Sequence, residues 1–218
     1  MRMTGYDLSL SGARLTALGS GALYWPDQNL LCVSDLHLGK SERHARRGGS
    51  ALPPYETQDT LTRLTQDLNQ NQASTVICLG DSFDDDSAAR ALPVAEKNKV
   101  SQLADNRRWI WITGNHDPAP ANLPGELHDT FTLAPLTFRH IAEPVATGEI
   151  SGHYHPKAKL RSTTRPAFLL DKHRLIMPAY GTYTGGLRST DPSLVALMAP
   201  KAIAILTGRR PLAIPMPR

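Results

Sequence analysis

Cysteine is scarce in this chain: 218 residues contain two, Cys32 and Cys78. Both sit inside short apolar runs, so no disulfide framework organises the fold, and the pair reads as buried free thiols. Long hydrophobic runs are also missing. The longest uninterrupted apolar stretches are four to six residues, against about 20 for a membrane span. The N-terminus lacks the apolar core of a secretion signal, which predicts a cytoplasmic address. Aromatic residues make up only 6%, and none of them cluster as an obvious stacking platform for bases. Internal repeats, low-complexity segments and a dividing linker are all absent. Residues 1–218 are therefore expected to form one domain, ending in a loose tail over about 211–218.

The composition that remains, 40% hydrophobic and 20% charged, is that of an ordinary soluble globular protein. The net charge of +4 and pI of about 9.2 suit an anionic substrate without requiring one. The local distribution says more. Lys40, Arg43, Arg46 and Arg47 lie close together with only Glu42 opposing them. Such a run is either a solvated face or a set of contacts to a phosphate backbone, and both readings stand.

Hydrophobic periodicity divides the chain into elements. Residues 6–33 read as a small β-meander turning at 19–21 and 26–29. Residues 39–54 read as a long basic loop, punctuated by Gly48-Gly49 and Pro53-Pro54. Leu61, Leu64 and Leu68 recur at helical spacing within 55–70, and the apolar run 75–79 follows as a strand parallel to 30–33. A second helical region is expected over 85–107, interrupted near Pro93, and it leads into the strand 109–113. Beyond a Pro-rich stretch, short strands are expected near 136–141, 147–151, 167–170, 174–178, 194–199 and 202–206. These should form a second, mostly antiparallel sheet.

Four motifs follow apolar runs in order: Asp35-Leu-His37, Gly80-Asp81-Ser-Phe-Asp84, Gly114-Asn115-His116-Asp117 and Gly152-His153-Tyr-His155. In open α/β sheets, ligands gather at the carboxyl ends of strands. Alternate residues of an extended segment share a face, so D-x-H and H-x-H are each expected to aim two side chains one way. Asp81 adds a carboxylate able to bridge two cations. Asp85 and Asp86 read as residues of a helix N-terminus, a reading that leaves Asp84 aside. The Asn115 carboxamide can ligate without adding charge, and the adjacent His116 points toward a leaving group. His140, at the end of a predicted strand between the third and fourth motifs, is the remaining candidate ligand, with His128 as competitor. His44 and His173 read as non-ligands. Together these motifs describe a binuclear metal centre whose natural chemistry is phosphoester hydrolysis.

The ordered set D-x-H, G-D-x-x-D, G-N-H-D, a single His and G-H-x-H resembles the calcineurin-like metallophosphoesterase superfamily over residues 35–155. That resemblance implies an α/β fold, a four-layer α/β/β/α sandwich of two mixed sheets. It implies that Asp35, His37, Asp81 and His155 hold one divalent ion, and that Asp81 bridges to a second ion completed by Asn115, His140 and His153. His116 would be the general acid, held in place by Asp84. The basic loop, the Gly-His-Tyr-His-Pro string and residues 175–187 are similar to the ligase-associated DNA-damage-response metallophosphoesterases, the PdeM group. This narrower likeness implies a manganese-dependent single-strand DNA endonuclease acting in bacterial DNA repair, associated functionally with a DNA ligase, a helicase and an exonuclease. The donor set also suits Fe or Zn. Lys40, Arg43, Arg46 and Arg47 would then contact substrate. The alternatives are a phosphomonoesterase or cyclic-nucleotide phosphodiesterase on the same core, and a non-catalytic scaffold of the same fold. The glycine-rich string 181–186 reads as a tight turn near the site, with direct substrate contact as the other reading.

Overall fold

The computed structural model describes residues 5–46, 48, 53, 55–116 and 123–217. The expected meander forms from β1 (Gly5–Leu10), β2 (Ala13–Leu18), β3 (Leu23–Trp25) and β4 (Leu30–Val33), each antiparallel to the next. The chain then makes α1 (Lys40–Arg46) and α2 (Glu56–Asn71) before returning as β5 (Thr75–Leu79), parallel to β4. Helices α3 (Asp86–Ala91) and α4 (Val94–Ala104) lead to β6 (Arg108–Ile112), and β7 (Glu126–His128) adds one more parallel edge strand. The seven strands lie in sequence order across one sheet.

The second sheet comprises β8 (Thr130–Leu133), β9 (Leu136–Arg139), β10 (Glu149–Ser151), β11 (Lys157–Leu160), β12 (Thr163–Leu170) and β13 (Arg174–Ile176). It is completed, after the short helix α5 (Pro192–Leu197), by β14 (Ile203–Leu206) and β15 (Leu212–Pro215). Pairing is antiparallel except for β9–β10 and β10–β13, which are parallel.

The pleat sorts the side chains into layers, because successive residues of a strand face opposite ways. Leu31, Val33, Val76, Cys78, Trp109 and Trp111 point toward the helices, where they join Leu61, Leu64 and Leu68 of α2 and Val100 and Leu103 of α4. The alternate residues Leu30, Cys32, Ile77, Leu79, Ile110 and Ile112 meet Phe138, Ile150, Phe168, Leu175 and Ile205 of the second sheet. The outer face of that sheet carries Leu169, Ile176, Ala204 and Leu206, covered by Leu194 of α5 and by Met198. Helix, sheet, sheet and helix thus stack as expected. Cys32 and Cys78 lie on opposite faces of one sheet, both buried and neither in a disulfide.

Three expectations need correction. The basic segment 39–54 is not all loop, since Lys40–Arg46 is helical. Residues 194–199 are not a strand. Asp191 caps a short helix by accepting from the Ser193 N–H, Pro192 begins it, and Leu194 alone is buried. The expected loose tail is in fact β15, paired along its length with β14. Pro93 does break the second helical region, between α3 and α4.

Candidate metal centre

The carboxyl ends of β4, β5, β6, β9 and β10 all point to one edge of the sandwich. Beyond the strands the loops stay paired: the Asp35 N–H donates to the Gly80 carbonyl and the His37 N–H to the Asp81 carbonyl, at 3.3 and 3.0 Å. Across the sandwich, the Gly152 N–H donates to the His140 carbonyl. Asp35, His37, Asp81, His153 and His155 have φ of 52, 45, 45, 71 and 46°. The motifs are therefore not extended segments, as their spacing implied, but tight left-handed bends. Each such residue costs about 1–2 kcal/mol of backbone strain, and strain of this kind gathers at functional sites. Gly80, at φ +73°, is required: a Cβ there would lie 2.5 Å from His140 Nδ1.

Two groups of side chains converge within metal-ligand spacing, Asp35–His37–His155 and Asp81–His140–His153. His155 Nε2 is 3.1 Å from Asp35 Oδ1 and 3.4 Å from His37 Nε2. In the second group His140 Nε2 lies 2.9 Å from Asn115 Oδ1, 3.2 Å from His153 Nδ1 and 3.4 Å from Asp81 Oδ2. The H-x-H pair is thus divided between the groups, and not aimed together at one ion as an extended segment would aim it.

The opposite ring nitrogens explain the orientation. His140 Nδ1 donates to the Leu79 carbonyl at 2.8 Å, and His37 Nδ1 lies in an ion-pair contact 2.9 Å from Asp84 Oδ1. That places the proton on Nδ1 and turns an Nε2 lone pair toward other acceptors, as at histidines that ligate metals. Nitrogens facing carboxylate and amide oxygens need a positive charge between them, a metal ion or, in its place, a proton. The field has that sign. Burial opposes the charged form of His140, yet the hydrogen bond to Asp81 and the charges of Asp35 and Asp81 raise it to about 9. Burial likewise opposes ionisation of Asp81, but His140 and the His116 N–H lower it to about 2. Asp35 is held down by His155 and His140 against its own complete burial.

Asp84 corrects the sequence reading. Its carboxylate binds His37, Arg43 Nη1 at 2.8 Å and, more distantly, Lys40 Nζ at 3.9 Å. Those partners outweigh burial and keep it well below the usual carboxylate range. What holds His116 is the main chain: Nδ1 sits 3.1 Å from the residue 84 carbonyl, and its N–H donates to Asp81 Oδ1 at 2.9 Å. Arg46 pairs with Glu42 and Asp85, so the basic run on α1 turns toward neighbouring acids. Arg47 and Asp117 lie outside the described residues. His128 stays with Glu126, 3.3 Å away, and has no place at the site.

The sequence reading missed two supports. Ser34 donates from Oγ to Asp35 Oδ2. The Tyr180 N–H donates to the Ser34 carbonyl, while the Tyr180 hydroxyl binds Asp67 and Arg63 lies over its ring. A lone Ser before an Asp, and a Tyr within the 175–187 string but outside the metal motifs, carry no sequence signal of these roles. Burial raises the Tyr180 phenol well above its ordinary pKa, so it stays a donor.

The sequence model for calcineurin-like phosphoesterases matches residues 29–192. The chain belongs to the calcineurin-like phosphoesterase family. Among solved structures, this phosphoesterase is similar to the nuclease MPE of Pseudomonas putida, with 30% identity, a TM-score of 0.76, and coverage of 96% of this chain and 100% of that one. It also matches Yfce, a phosphoesterase from E. coli, at 11% identity and TM-score 0.42, over 86% of this chain and 99% of that one. No match was found among curated proteins. The calcineurin-like phosphoesterase is accordingly a hydrolase with two candidate metal-binding groups. No helix among its described residues is long and apolar enough to cross a membrane.

Proposed function

We propose that the protein is a binuclear-metal phosphodiesterase that cuts single-stranded DNA internally, with Mn²⁺ as its working metal. One observation carries the metal-dependent reading: two triads of donors face inward, with His140 held through Nδ1 by the Leu79 carbonyl so that Nε2 faces the other donors. The nuclease reading is supported by the 30% identity to a nuclease over nearly the whole of both chains. Participation in DNA repair beside a ligase, helicase and exonuclease is part of the same proposal and rests on the motif resemblance.

In this reading Asp35, His37 and His155 hold one cation, while Asn115, His140 and His153 hold the other, with Asp81 serving both. Divalent ions held there would supply charge neutralisation at the phosphate and acidify water near neutral pH. The protein's own contribution is orientation and proton transfer. Asp84 fixes the His37 ring through Nδ1. His116 Nδ1 is fixed by the residue 84 carbonyl, so Nε2 is the atom that protonates the departing sugar oxygen. Asp81 sets the position of His116 through the backbone N–H.

The test is incubation with circular single-stranded DNA and each of Mn²⁺, Fe²⁺, Zn²⁺ and Mg²⁺. Conversion of circles to linear strands is expected, fastest with Mn²⁺. Intact circles together with rapid hydrolysis of a phosphomonoester would replace this reading with that of a phosphatase.

A further inference from the structure

Beside the metal centre, residues of the segments 19–21, 179–184 and 207–210, with Arg63, line a groove of about 900 Å³. We propose that this groove is the track for a single-stranded polynucleotide, with Tyr183 as the surface on which a base stacks. The inference rests on the nuclease reading above and assigns that activity a substrate-binding site.

Tyr183 is 45% exposed and held at φ +62°. A bulky side chain in the left-handed region is an outlier of the kind that gathers at functional sites. The backbone around it is fastened from several directions. The Gly181 N–H donates to the Asp35 carbonyl at 3.1 Å, the Thr182 N–H to Thr60 Oγ1 at 3.1 Å, and Lys157 Nζ to the Thr184 carbonyl at 3.2 Å. An exposed ring on a fixed turn is a preorganised contact surface.

The same turn touches both loops that carry ligand candidates. A Cβ on Gly181 would fall 2.1 Å from the Leu36 carbonyl oxygen, and one on Gly186 would fall 2.0 Å from that of His155. A strand lying along the groove therefore passes next to the centre. Charge fits the occupant: the lining includes Arg63, Arg209 and Arg210 and no acidic residue, although Asp59 approaches Arg63 to 3.6 Å from outside it. Polynucleotide single strands are held by this combination of backbone-tracking cations and sequence-tolerant aromatic stacking.

The experiment compares wild type with Tyr183→Ala, Tyr183→Trp and the double variant Arg209→Ala/Arg210→Ala. Each is assayed on circular single-stranded DNA and on bis(nitrophenyl) phosphate with Mn²⁺, and for binding of a labelled oligothymidylate across salt concentrations. Tyr183→Ala is expected to raise KM for DNA by about tenfold more than for the ester, within the range for one lost stacked base. Tyr183→Trp should restore most of it. The double arginine variant should flatten the log–log salt slope by about 1.4, or roughly 0.7 per phosphate contact on a single strand. Equal losses on both substrates in Tyr183→Ala would overturn the proposal and make Tyr183 a support of the centre. DNA cleavage and binding unchanged in all variants would also overturn it, with the nuclease reading intact. Wild-type protein that hydrolyses the ester but leaves DNA whole would instead remove the nuclease reading, and the occupant of the groove with it.

Discussion

A ring nitrogen that donates to a main-chain carbonyl leaves its partner nitrogen directed elsewhere, as in His116 and His140, and His37 meets Asp84 in an ion pair; His128 instead stays with Glu126 away from the centre. Two predictions follow from those bonds. His116→Ala should abolish most DNA cleavage while both metals stay bound, because His116 meets the centre through its backbone and a free Nε2. Elemental analysis checks the metal content, and a nitrophenyl ester, whose leaving group needs little protonation, should lose much less activity. Asp84→Asn tests which histidine the carboxylate serves. If it orients His37, metal affinity at that group falls by about 10–100-fold, and titration calorimetry should show one weakened site beside one normal site. Unchanged metal binding with activity lost would mean that Asp84 acts through His116, as the motif alone implied.

At the scale of elements, the strands end early and the chemistry sits on bends. Gly80→Ala would place a Cβ against His140 at a backbone angle unfavourable to any L side chain. Strain and overpacking of this kind cost about 1–3 kcal/mol, and the expected result is a lower melting temperature with loss of the second metal. Helix α1 makes a contrasting case. The basic run followed the first motif closely enough to be read as a phosphate contact, but helix formation turns Arg43 onto Asp84. Arg43→Ala should therefore reduce DNA and ester hydrolysis to similar extents, since it loosens the carboxylate that holds His37. Arg46→Ala, at an exposed pair with Glu42 and Asp85, should change either rate little. Loss confined to DNA in Arg43→Ala would return the helix to a substrate role.

For the whole molecule, donors from both sheets meet at one edge, so binding cations should fasten the sandwich together. A metal bound at 100 times its Kd stabilises the native state by about 2.7 kcal/mol, which in a domain of this size raises Tm by roughly 5–10 °C. Calorimetry with and without Mn²⁺ should show that rise, and EDTA should reverse it. Asp81→Ala, which removes the carboxylate proposed to serve both ions, should suppress more of the increase than His140→Ala. A Tm independent of metal would contradict a centre built across the two sheets.

Much of this was legible locally. Apolar runs of four or five residues ending in Gly, Asp or His marked β4, β5 and β6 and the candidate ligands after them, because burial on both faces and the chemistry of ligation each demand particular residue types. The leucine spacing of α2 and the break at Pro93 were legible for the same reason. What could not be read depended on which distant groups came within reach. The division of His153 and His155 between two groups, which the family resemblance implied, follows from left-handed bends that spacing alone does not encode. Asp84 meets His37 with its carboxylate and His116 only with its main-chain carbonyl, a division that the spacing of the motif does not encode. Tyr183 stands in the 175–187 string but in none of the metal motifs, and only the fold sets it on a fixed turn between the Asp35 and His155 loops. The sequence determined which chemistry the chain can perform, since donor types are a local property. The tertiary structure decided which donor serves which neighbour, since that depends on distances between segments far apart in the chain.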